Sequence, residues 1–174
     1  MSSASNRRRA LRHRGQALTV AALVVLADQL SKAWALQHLP SGSVRPLLPG
    51  LLALQRVENP GAAFSLFSNS TVPLALVSAV VSLVVLGWLL LRPPVSPWLR
   101  LGLALVLGGA VGNGLDRWRH QAVVDFLALV PIQFPIFNLA DVAINLAVGC
   151  LLIDQLQGWR QSSGDGSAPT GFHD

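Results

Sequence analysis

Charge is scarce in this chain: 12% of its 174 residues are Asp, Glu, Lys or Arg, against 52% hydrophobic. That balance lies outside the ordinary range of water-soluble domains and points to a protein that crosses the membrane several times. Cysteine is almost absent too, and the single Cys150, set in an apolar run, can form no internal disulfide. Histidine is confined to the margins. His13, His38, His120 and His173 fall outside the apolar stretches and no His-Glu-x-x-His pattern occurs, so a metalloprotease or a Ser-His enzyme has little to work with. The glycine-rich stretch from Gly108 lacks the Lys and Ser/Thr of a phosphate-cradling loop, and no internal repeat is evident.

What remains is apolar sequence in four stretches: Ala17 to Leu36, Val72 to Leu91, Trp98 to Leu115 and Ile136 to Leu156. At about 20 residues per crossing, they predict an all-α membrane protein of four transmembrane helices. All five tryptophans, Trp34, Trp88, Trp98, Trp118 and Trp159, fall at or just beyond the ends of these stretches. Interfacial tryptophans support the same boundaries independently of hydropathy.

The net charge of +5 comes from one short run, Arg7, Arg8, Arg9, Arg12 and Arg14. No aromatic residue interleaves with them, which argues against nucleic acid. Placed just before an apolar stretch, they fit the positive-inside rule and put both termini of a four-span protein in the cytoplasm. The same region also reads as a secretory signal with Ala33-Trp34-Ala35 as its cleavage site. Asp28, Gln29 and Lys32 interrupt the approach to that site, and an uncleaved first helix is the reading preferred here.

The expected organisation is a basic cytoplasmic arm over 1–16, a four-helix membrane domain over 17–160 and a disordered Ser/Gly-rich tail over 161–174. Periplasmic loops would span 37–71 and 116–135. In the first of these, β-prone Leu51 to Val57 precedes the turn Asn59-Pro60-Gly61 and predicts a small β platform between helices 1 and 2.

Acids at membrane depth are costly and normally face a polar interior. Asp125 follows the β-branched pair Val123-Val124, which suits an extended segment. Asp141 is expected one to two turns inside the fourth span, with Asn138 and Asn145 completing a polar stripe. A solvated loop acid and a structural interhelical hydrogen bond explain the two aspartates separately; a paired-carboxylate site explains them together. Asp28 and Lys32, four residues apart, form either an ion pair with Lys32 snorkelling to the interface or a substrate contact. Asn113, Asp116 and Arg117 share one helix face, and Gly108 and Gly112 permit close helix approach.

Five motifs occur in order: Asp28-Gln29-x-x-Lys32, Asn59-x-Gly61-Ala62-Ala63-Phe64, Gly108-Gly109-Ala110-x-Gly112-Asn113-x-x-Asp116-Arg117, Val123-Val124-Asp125-Phe126 and Phe137-Asn138-x-Ala140-Asp141. Together they resemble the lipoprotein signal peptidase (signal peptidase II) family. The resemblance implies an inner-membrane aspartyl endopeptidase that needs no cofactor or metal and is sensitive to globomycin. Its substrates would be diacylglyceryl prolipoproteins, cut just before the lipidated Cys, with membrane lipid as surroundings and no obligate protein partner. It implies Asp125 and Asp141 as the catalytic dyad, with Asp28, Lys32, Asn59, Gly61, Asn113, Asp116, Arg117 and Asn138 binding substrate or supporting the site; Asn145 joins these supporting residues from its place on the Asp141 stripe. The rival from another class is a small proton-coupled transporter using Asp125, Asp141 and Lys32 as relay groups.

Overall fold

A computed structural model describes residues 3–61 and 71–164. The elements run α1 (Ser3–His38), β1 (Val44–Leu48), β2 (Leu52–Asn59), α2 (Thr71–Leu91), α3 (Pro97–His120), β3 (Val123–Leu129) and α4 (Leu139–Gly164). All four helices are long and apolar enough to cross a membrane. Their outer faces carry exposed Leu23, Leu26, Val77, Leu83, Leu146 and Leu152, as lipid contact requires. Of the five tryptophans, Trp34, Trp88, Trp118 and Trp159 are exposed towards helix ends.

The boundaries depart from hydropathy where local chemistry overrides it. The basic arm is helical: α1 is continuous over 36 residues, roughly 54 Å at 1.5 Å per residue, well beyond the ~30 Å hydrocarbon layer. Arginine is a good helix former, so the arm adds turns to the span. A cleavage after Ala35 would discard Asp28 and Lys32, both tied into other helices as described below. α3 continues past Leu115 to His120 and stops at Gln121, whose left-handed φ of 56° and N–H to the Arg117 carbonyl turn the chain back into β3. Asp116 and Arg117 are therefore helical, not part of a loop. α4 reaches Gly164, inside the stretch expected to be a disordered tail; the rest of that tail lies outside the described residues, as do Ala62, Ala63 and Phe64.

The platform is a three-stranded antiparallel sheet in the order β1-β2-β3. Its third strand comes from the segment after α3, so the sheet joins two loops and does not belong only to the one between α1 and α2. Val57 lies opposite Asp125 and Glu58 opposite Val124. Buried Phe126 and Leu127 cluster with Ala35 and Leu39 of α1, with Leu52, Leu54, Phe137 and Leu139 around them. This cluster anchors the sheet to one end of the bundle.

α3 is the central helix, packed against α1, α2 and α4. Its glycines set the spacing. A Cβ on Gly109 would lie 2.7 Å from the Ala140 carbonyl oxygen and 2.6 Å from Ile144 Cγ1. Backbone cannot yield as a flexible side-chain tip can, so Gly109→Ala is expected to force α3 from α4, at about the 1–3 kcal/mol typical of overpacking. A lowered melting temperature in detergent checks this; an unchanged one contradicts it.

Candidate active site

Two polar layers lie where β3, α3 and the start of α4 converge. The inner layer is built on Lys32, only 2% exposed. Its ammonium reaches Asp28 Oδ2 at 2.8 Å, Asp116 Oδ2 at 2.8 Å and Asn113 Oδ1 at 2.9 Å. Three donors thus meet three acceptors, which a buried cation requires. The i,i+4 pair expected within α1 exists, but Lys32 does not snorkel, and neither it nor Asp28 lines the cavity described below. Gly112 makes room for the pair: a Cβ there would sit 2.6 Å from Asp28 Oδ2.

Both acids of this layer also grip backbone. Asp28 Oδ1 accepts the Ala140 N–H at 3.0 Å, and Asp116 Oδ2 accepts the Val124 N–H at 3.3 Å. Ala140 and Val124 are the residues immediately before Asp141 and Asp125. One buried ammonium therefore pairs with both carboxylates that fix the backbone beside each aspartate. Gln29, given no role in the sequence reading, donates from Nε2 to Asp116 Oδ1 at 2.9 Å.

The outer layer holds Asp125 and Asp141. Asp125 Oδ2 accepts from Asn59 Nδ2 at 3.1 Å and Oδ1 from Asn138 Nδ2 at 2.7 Å. Asp141 Oδ1 accepts from Asn113 Nδ2 at 2.8 Å. Asn138 links the pair. Its backbone N–H donates to Asp141 Oδ2 at 3.2 Å while its Oδ1 accepts the Asp141 N–H at 3.0 Å, a reciprocal cap of the α4 amino terminus. Asp141 accordingly stands in the first turn of α4, not one to two turns inside it, and Asn138 precedes the helix. Phe137 secures the register: its carbonyl accepts the N–H groups of Phe126 and Leu127, and its N–H donates to the Leu127 carbonyl. The strand carrying Asp125 is thereby tied to the residues that begin α4.

The two aspartates share a cavity of about 470 Å³ with Asn59, Gly61, Asn113, Arg117 and Asn145. Arg117 donates to the Gly61 and Asn113 carbonyls at 3.3 and 3.4 Å and forms no ion pair among the described residues, which leaves a cation facing the cavity. Asn145 is exposed and donates to the Asp141 carbonyl at 2.9 Å. The rest of the wall is largely apolar and includes Leu129, Phe134, Ile136, Phe137, Val142 and Leu146. Sequence reading missed this wall because 126–135 registered only as a loop broken by prolines. Its β3–Phe137 pairing is non-local and leaves no periodic signal.

Asp125 is 3% exposed. Burial first, and then the charge of Asp141, raise its pKa from 3.8 to about 6, against the opposing hydrogen bonds from Asn59 and Asn138. A buried acid able to hold a proton, beside a second carboxylate in an open cleft, is equipped for acid–base chemistry on a bound amide.

Comparison with known proteins identifies the family. The family profile described as signal peptidase (SPase) II matches residues 20–157. Lipoprotein signal peptidase of Synechococcus sp. (strain RCC307) is 52% identical over 141 residues, covering 80% of this chain and 93% of that protein. The lipoprotein signal peptidase of Parasynechococcus marenigrum (strain WH8102) is also 52% identical, covering 81% and 89%. Two solved bacterial membrane enzymes share the fold. One has a TM-score of 0.78 at 22% identity over 91% of this chain and 95% of its own; the other has 0.74 at 25% over 82% and 93%. With the profile spanning most of the chain and relatives this similar, the protein belongs to the signal peptidase II family, the lipoprotein signal peptidases.

Proposed function

We propose that Asp125 and Asp141 are the catalytic pair of this membrane aspartic endopeptidase. They would remove signal peptides from diacylglyceryl prolipoproteins by cutting just before the lipidated Cys. The observation that carries the reading is the link through Asn138, which touches both carboxylates from between them. Asp125, with its pKa raised to about 6, holds the proton of the pair; Asp141 takes a proton from a water seated between the two. The hydroxide so formed attacks the scissile carbonyl while the Asp125 proton moves to its oxygen, and collapse returns a proton to the leaving amine. Arg117 and the amides of Asn59 and Asn145 would hold the peptide backbone. The apolar wall would receive the side chains preceding the Cys and the first carbons of its acyl chains. Membrane anchoring of the substrate limits its orientation and raises its local concentration.

In the orientation proposed here, both termini are cytoplasmic and the sheet and cavity face the periplasm. The arginine arm supplies most of the charge bias.

Mass mapping of the products from a diacylglyceryl prolipoprotein in detergent tests the specificity. The mature product is expected to begin at the lipidated Cys, with the unlipidated precursor cut far more slowly; equal cleavage of both contradicts the reading. The pH profile tests the proton assignment. As pH rises through the raised pKa of Asp125 the pair loses its proton, so kcat/KM is expected to fall on the alkaline side. Stability has the same sign: from about 3.8 to about 6 the folded protein keeps a proton that the unfolded chain releases, so stability falls as pH rises through that window. A kcat/KM that climbs steadily through it and beyond would overturn the role of Asp125 as acid.

A further inference from the structure

The arginine arm does more than set orientation, because it meets a residue from another helix. Arg8, Arg9, Arg12 and His13 of α1 and Arg100 in the first turn of α3 surround a hollow of about 430 Å³. A second hollow, of about 520 Å³, continues along the same helix pair between Ala17 and Val20 of α1 and Leu101 and Ala104 of α3. Gln16 and Arg100 line both, so the two are contiguous.

Their chemistry is graded. On α1 the residues Arg8, Arg12, Gln16 and Val20 follow one another at i+4 steps and lie on one face, running from cationic to polar to apolar. α3 repeats the gradient from Arg100 to Ala104. No acid lines either hollow, and among the described residues none of Arg8, Arg9, Arg12 or Arg100 forms an ion pair. Positive-inside topology needs arginines on one side of the membrane, but not a converging set above an apolar slot. Guanidinium groups pair with phosphate oxygens in a forked geometry, and the slot begins where a headgroup gives way to acyl chain. Arg100 lies thirteen residues before Asn113 on the same helix, about 20 Å along its axis. The hollows are therefore at the opposite end of α3 from the catalytic cavity.

We infer that this paired hollow is a binding site for an anionic phospholipid in the leaflet on the amino-terminal side, with its phosphate among Arg8, Arg9, Arg12 and Arg100 and one acyl chain in the slot between α1 and α3. The site ties the helical arm to α3 through the lipid and has no part in holding the acyl chains of the substrate.

Full-length protein in nanodiscs mixing phosphatidylglycerol with phosphatidylcholine provides the test, with retained lipid read by native mass spectrometry. The wild type is expected to retain phosphatidylglycerol selectively. Arg12→Gln combined with Arg100→Gln should weaken that retention roughly thirtyfold, the loss expected for two cations at a lipid surface. Thr19 lines the same slot from an exposed position, and Thr19→Trp, which fills it, should weaken retention with every guanidinium intact. Cleavage of prolipoprotein in lipid-free detergent, unchanged in all these variants, verifies that they fold. Undiminished selectivity in the double variant overturns the inference. So does displacement of phosphatidylglycerol by inorganic phosphate with Thr19→Trp unaffected, since that outcome assigns a phosphate site without a lipid.

Discussion

Asp125→Asn and Asp141→Asn are each expected to lower kcat by at least the roughly 10²–10⁴-fold that one positioned acid or base supplies, while leaving the protein folded. The reasons differ between the two. Asn at position 141 cannot take a proton from water, and with its oxygen on the Asn113 amide its own NH2 faces the Asn138 N–H that the carboxylate now accepts. Asn at position 125 removes the proton destined for the substrate oxygen. It also turns an amide donor towards Asn59 or Asn138, both of which now donate to the carboxyl. Each variant is therefore expected to lose some order in the cavity together with its chemistry. Single-turnover cleavage with melting temperature measured alongside separates the two effects, and full activity in either variant sinks the pair.

Lys32→Met is expected to be the most damaging substitution away from the cavity. It leaves Asp28 and Asp116 facing each other in a buried site without their shared cation, and breaking such a buried set costs about 3–5 kcal/mol. Asp28 holds the backbone next to Asp141 and Asp116 the backbone next to Asp125, so activity should fall together with stability. Lys32→Met with Asp28→Asn and Asp116→Asn removes the charges as a group. This triple variant should recover much of the lost stability, because replacing a complete buried set is far less costly than breaking it. Thermal unfolding in detergent is the measurement; a single variant as stable as wild type would show that the ammonium carries no such burden.

Local rules made some of these features legible before the structure was known, and non-local contacts explain the remainder. Asp28 and Lys32 are readable as a pair from their spacing, but Asp116, on another helix, cannot be found by periodicity. Asn138 and Asp141 have the three-residue spacing of a helix cap. Hydropathy nonetheless starts the span at Ile136, because a hydropathy window does not sense caps, and Asp141 was displaced inward as a result. Val123-Val124 signals an extended segment correctly. Its pairing with β2, which makes the platform three-stranded, depends on a partner more than sixty residues away. The helical arm escaped notice because its arginines lower hydropathy while favouring helix. The motif set still named residues that gather at the site: Asn59, Gly61, Asn113, Arg117, Asp125 and Asp141 all line one cavity, with Asn145 from the polar stripe of the fourth helix. What the motifs did not reveal is the division of labour, with Asp28, Lys32 and Asp116 behind the cavity and Asn138 between its two acids.

Asp125 and Asp141 are proposed to work as one unit sharing a proton. Single-turnover cleavage of a diacylglyceryl prolipoprotein by Asp125→Asn, Asp141→Asn and the double variant tests it most directly. Groups that act together lose their effect once, so the double variant should be no slower than the worse single variant. Losses that multiply in the double variant would mean that the two carboxyls contribute independently, and would contradict the shared-proton mechanism.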